Sequence, residues 1–145
     1  MRLPAFVASG LCAAVTAVMC AACTSGSDAP NLQPVITPTP IMTQIFTGVV
    51  PVGGSLSNNF PVTAGGPVNV TLTAAGPPSN IVMGLALGTP LGSTCQPNPT
   101  ATTSTAAGII PQLSGTLGQG AYCVEIADIG QATGPVTFSI TITHP

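Results

Sequence analysis

From Val136 to Thr143 the chain alternates without interruption. Val136, Phe138, Ile140 and Ile142 fall on one side of an extended backbone; Thr137, Ser139, Thr141 and Thr143 fall on the other. Successive side chains of a strand point to opposite faces, so this run suits a sheet with one dry face and one wet face. A turn containing Gly130, Gly134 and Pro135 separates it from a second alternating run at Gly120–Ile126. Helix is disfavoured throughout, because 17 Gly and 16 Pro recur every few residues and both weaken helix interiors.

Further strand-like runs precede these two. Ile41–Val50 is the first, and its inward set is either Ile45 and Val49 or Phe46 and Val50. Leu56–Val62 offers Phe60 and Val62, and after a Gly65-Gly66-Pro67 turn Val68, Val70 and Leu72 alternate with Asn69, Thr71 and Thr73. Ile81, Met83, Leu85 and Leu87 then share a face. Val82, Gly84 and Ala86 on the other face are small and apolar, so something should lie across them. Ser93–Gly108 is the least regular stretch and reads as a short strand near Thr102–Thr105 inside long loops. Ile109–Leu117 reads as an edge strand interrupted by Pro111, which cannot donate to a ladder. About eight short strands at turn spacings of roughly 8–12 residues predict an all-β, antiparallel, two-sheet sandwich, with a closed barrel as the alternative. No internal repeat is present.

The start of the chain reads as an address. Arg2, an apolar run and the small residues before Cys23 describe a secretory signal over residues 1–22. Ala21-Ala22-Cys23 is similar to the end of a bacterial lipobox, in which the Cys becomes the lipid-bearing first residue, although Cys20 stands where that motif usually has Leu. Ordinary cleavage and a retained membrane helix are the competing readings. Acyl chains such as palmitate on Cys23 would hold the chain at a membrane, each buried methylene contributing about 0.8 kcal/mol. Residues 23–40, with Pro30, Pro34, Pro38 and Pro40, read as a tether, a plain disordered linker that could reach on the order of 50 Å if extended. Residues 41–145 are the β domain.

Charge narrows the function classes. Arg2 is the single Lys or Arg, against three acidic residues. Without the signal no basic side chain remains except His144, which excludes counterion-releasing nucleic-acid binding and polybasic membrane binding. Cys12 and Cys20 lie in the signal and Cys23 is the lipid site, leaving Cys95 and Cys123 to pair as a disulfide in an oxidising compartment. A metal site would need more Cys or His, and a reactive thiol would need a neighbouring base. Tyr122, Val124 and Ile126 share one face of their strand and Cys123 and Glu125 the other, so the disulfide should lie outside the sandwich and staple the irregular Ser93–Thr105 segment over the outer face.

Phe46-Thr-Gly-Val-Val, Asn59-Phe-Pro-Val, Val68-Asn-Val-Thr-Leu, Leu117-Gly-Gln-Gly-Ala-Tyr-Cys-Val-Glu-Ile and Val136-Thr-Phe-Ser-Ile-Thr-Ile span Gln44 to His144. This pattern, with Gly120, Tyr122 and Val124 as a Gly-x-Tyr-x-Val signature, resembles the bacterial pre-peptidase C-terminal domain family. The resemblance implies a jelly-roll-like sandwich of the kind appended to exported enzymes, where it aids secretion or binds polymers. The acidic loop residues that hold calcium in some relatives are missing here, so no metal site is carried over, and no catalytic domain accompanies this one.

The remaining candidates for chemistry are sparse. Glu125 and Asp128 are the carboxylates of the β domain, but a spacing of three on a strand and its following turn does not hold both on one face, and they read as turn caps or solubilising groups. His144 reads as an exposed tail residue and Tyr122 as core. No Gly-x-Ser-x-Gly elbow occurs. Asn69-Val70-Thr71 matches a glycosylation sequon that a bacterial setting leaves unused. The sequence therefore predicts a non-enzymatic, lipid-anchored protein of the bacterial cell envelope, outer membrane or cell surface, with no cofactor and no metal. It would work by binding or structural display toward an unknown protein or polymer ligand. The alternative is an accessory module binding polysaccharide or peptide beside a separate exported enzyme.

Overall fold

A computed structural model describes residues 37–145, so the expected signal, the expected lipid site Cys23 and residues 24–36 of the expected tether lie outside the described residues. Eight strands follow in order: β1 (Met42–Val50), β2 (Ser55–Val62), β3 (Gly66–Gly76), β4 (Met83–Leu91), β5 (Thr94–Thr105), β6 (Leu113–Leu117), β7 (Gly120–Ala127) and β8 (Val136–His144). They form two four-stranded antiparallel sheets, ordered β1-β8-β3-β6 and β2-β7-β4-β5. The sandwich is open, not closed into a barrel. Its ladders pair β1 with β8, β2 with β7, β3 with β6 and β4 with β5. The chain is thus one long antiparallel ribbon, turning at Gly92-Ser93 and folded over on itself, which is the jelly-roll arrangement. Two further ladders, β3 with β8 and β4 with β7, knit the folded ribbon into sheets.

Alternation decides which faces meet. Val136, Phe138, Ile140 and Ile142 are buried against Phe60, Met83, Leu85, Val124 and Ile126 from the other sheet, while the hydroxyl set of β8 faces out. β1 takes the Phe46 and Val50 phase. Phe46 meets Phe138 edge-on, with ring centroids 4.9 Å apart, and Ile45 is left 70 % exposed.

Three expectations need correction. The stretch after Ser93 is a full edge strand, not a short strand in long loops. Its register shifts between Ala86, opposite Thr102, and Gly88, opposite Pro97, so residues 98–101 form a bulge without partners on β4. Asn98 supplies the turn, its Oδ1 accepting from the Thr100 backbone N–H at 3.1 Å and from Thr100 Oγ1 at 2.9 Å. A bulged edge is where Pro97 and Pro99 cost no ladder bond. Second, Pro111 precedes β6 instead of interrupting it. Gln112 stands in for ladder partners there: its Oε1 accepts from the Leu72 N–H at 2.7 Å and its own N–H donates to the Val70 carbonyl at 3.0 Å. Third, His144 is fully buried. It occupies the next inward position after Ile142, paired with Met42, and its ring lies 5.3 Å from that of Phe60. Nδ1 donates to the Pro145 carbonyl at 3.3 Å and Nε2 has no partner among the described residues.

The disulfide joins Cys95 and Cys123 with 5.7 Å between Cα atoms. Both are absent from the inter-sheet core and share the outward phase of Glu125. Cys123 lies beside Gly88 on β4, and Cys95 lies opposite Pro90, so the bond crosses the outer side of β4. The Gln96-Pro97 backbone passes directly over Gly88. A methyl there would sit 2.6 Å from the Gln96 carbonyl carbon and 2.9 Å from Pro97 Cα. The small outward face of β4 is therefore covered, by β5 at Gly88 and by the Ile129 side chain at Gly84.

Two outcomes are expected in urea unfolding. A Cys95→Ala, Cys123→Ala double variant should lose about 3–4 kcal/mol, the loop-closure value for a bridge of this span. His144→Ala should lose about 2–4 kcal/mol of packing, whereas His144→Phe should be at least as stable as the parent because it removes an unpartnered buried acceptor. A His144→Phe protein as weak as His144→Ala would rule out the packed, orphaned ring.

Candidate functional site

The carboxylates of the described residues serve different places. Asp128 sits where the chain leaves β7. Its Oδ1 accepts from the backbone N–H groups of Gly130, Gln131 and Ala132 at 2.9, 2.9 and 3.0 Å. Its Oδ2 accepts from the Gly53 N–H at 2.8 Å, and the Asp128 N–H donates to the Gly54 carbonyl at 2.9 Å. Gly53 has φ +67°, the left-handed geometry that brings its N–H round to the carboxylate. Asp128 thus ties the β1–β2 turn to the β7–β8 connection. These donors, Gly53 first and then Ala132, hold its carboxyl below the ordinary value of 3.8, outweighing the opposing effect of desolvation.

Glu125 lies on the outer face of the second sheet, flanked by Ser57 and Ala86. It separates two shallow hollows, one beside Ser57 and Cys95 and one beside Ala86, Thr102 and Ile129. No hydrogen bond joins it to Asp128. His144 is enclosed by the core, remote in kind from any nucleophile–base arrangement. Among the described residues no group of three His, Cys, Asp or Glu could hold a metal, and no helix is long and apolar enough to cross a membrane.

A concavity of about 400 Å³ opens where the β5 bulge stands off β4. Leu87, Ala101, Leu117 and Tyr122 supply apolar walls, and Pro97 and Pro99 stiffen the bulge. Thr89, Gln96 and Asn98 provide neutral hydroxyl and amide groups. Tyr122 is half-buried as part of this wall, its hydroxyl donating to the Gly118 carbonyl at 3.2 Å. Leu117 comes from the first sheet and the rest from the second, so the cleft lies at the open side of the sandwich. Apolar walls with a few placed polar groups are the composition of small-ligand sites. Alternation did not disclose this cleft, because the bulge that makes it breaks the alternation; the turn-forming Gln96-Pro97-Asn98-Pro99 run was its signal. No protein-family model matches the chain, and no curated protein matches it.

The Asp128 contacts set an acid-side dependence. A folded pKa below the unfolded value contributes stability that is present above about pH 4 and lost as pH falls through the folded value. Asp128→Asn should therefore be less stable than the parent at neutral pH, and the gap should narrow on acidification. Urea midpoints measured between pH 6 and pH 2.5 test this, and a gap that stays constant over that range is the contrary result.

Proposed function

We propose that this chain is a non-enzymatic binding module, lipid-anchored through Cys23 in a bacterial envelope, that takes an uncharged ligand in the cleft beneath the β5 bulge. The observation that carries the binding reading is the cleft itself: apolar walls, a neutral polar rim and no carboxylate or histidine lining it. A charged ligand would find no counter-charge there, and desolvating it would go uncompensated. The Ala21-Ala22-Cys23 run supports the anchor, and residues 23–40 serve as its spacer. The jelly-roll strand order and the Gly120, Tyr122 and Val124 spacing support kinship with pre-peptidase C-terminal domains.

A second reading, an accessory module for a neutral polysaccharide or peptide, is favoured by the openness of the cleft along the side of the sandwich. Amides at Gln96 and Asn98 suit hydroxyl and peptide groups, and Tyr122 offers part of a ring face.

Two measurements test these proposals. Cys23→Ala should move the protein from the membrane fraction to the soluble fraction and abolish acyl mass on the purified chain; unchanged fractionation with no acyl mass on the parent rejects the anchor. On neutral glycan and peptide arrays, the parent should bind and a Gln96→Ala, Asn98→Ala variant should bind about tenfold more weakly, as expected when one or two net hydrogen bonds are lost. Equal binding by both proteins would falsify the cleft assignment.

A further inference from the structure

Each sheet of the sandwich has two edges, and three of the four are blunted. β2 carries Pro61, β5 carries Pro97, Pro99 and the bulge, and β6 has only 5 residues. Proline, irregularity and brevity are the devices by which edge strands avoid pairing with another chain. β1 has none of them. It runs for 9 residues, pairs with β8 in unbroken register from Met42 to Val50, and contains no proline and no charge. Its outer side also presents Ile45 and Val49, 70 % and 51 % exposed, where the outward set of neighbouring β8 is entirely Thr and Ser.

We propose that β1 is an interface between two copies of this chain, pairing antiparallel with itself so that two four-stranded sheets join into one of eight strands. The strand is self-complementary in the way a two-fold axis requires. An axis through Thr47 sets Ile45 opposite the partner's Val49, and Val49 opposite the partner's Ile45, as cross-strand apolar pairs on the outer face. On the other face it sets the Phe46 ring beside the Gly48 position of the second copy. The edge N–H and C=O groups of β1, unpaired among the described residues, gain partners, and no like charges oppose the approach. A strand from an unrelated protein could add to the same edge, but a second copy is favoured because its own Val49 and Ile45 supply both reciprocal pairs.

The experiment uses the full chain in mild non-ionic detergent. Sedimentation velocity should show a monomer–dimer equilibrium, and Ile45→Lys should weaken it by about tenfold or more. Because Ile45 is mostly solvent-exposed, the circular dichroism melt of Ile45→Lys should match that of the parent at dilutions where both are monomeric. Thr47→Cys should cross-link into covalent dimers under mild oxidation much faster than Thr116→Cys, which lies on the opposite edge of the same sheet. The proposal is overturned by a parent that stays monomeric at every concentration, by a dimer indifferent to Ile45→Lys, or by equal cross-linking at Thr47 and Thr116.

Discussion

The fold depends on the contact between the inner faces of its two sheets. β8 sits between β1 and β3, so its apolar set is shielded on both flanks as well as from across the sandwich. Phe138, Ile140 and Ile142 form the middle of that contact, with Leu72 and Val70 beside them and Leu85, Val124 and Ile126 opposite. Apolar burial of this kind is worth roughly 25 cal/mol per Å² and has no directional demand, so the ladders and turns supply the specificity that it lacks. With almost no charge on the β domain, ion pairs have no part in holding the sheets together.

The folded ribbon explains why a few local devices matter. Every strand of the first half pairs with one from the second half, and most of these partners are distant in sequence. Closing such loops costs chain entropy before the contacts form. The disulfide shortens one closure, bringing β5 and β7 together across β4. Gly88 is what permits it: a side chain at that point would occupy the space taken by the Gln96 backbone. Asp128 does the corresponding work at another end, gathering four backbone donors from two connections into one carboxylate.

The regular strands were legible in the sequence because they alternate. β3, β4, β7 and β8 could be assigned a face residue by residue, and that assignment also set the disulfide on the outer side. β1 was ambiguous, since Ile45 and Val49 are as apolar as Phe46 and Val50, and only the room for Phe46 against Phe138 selects between them. His144 reads as a tail residue from its place near the end of the chain, although counting by twos from Val136 leads to it. β5 was illegible for a different reason. Its prolines and bulge interrupt the period, and the cleft exists because of that interruption. The site was therefore hardest to read where the chain departs from the rule that made the fold readable.

The hydroxyl face of β8, with Thr137, Ser139, Thr141 and Thr143, has a consequence for how this domain meets other molecules. Water is held by dipoles and not by net charge, so added salt has almost nothing to screen. Any encounter must proceed without long-range steering, at the slower association rates of about 10⁵–10⁶ M⁻¹s⁻¹ typical of neutral surfaces. Complexes formed by such a surface would owe their selectivity to how slowly they come apart, and their lifetimes would scarcely change between fresh water and brine.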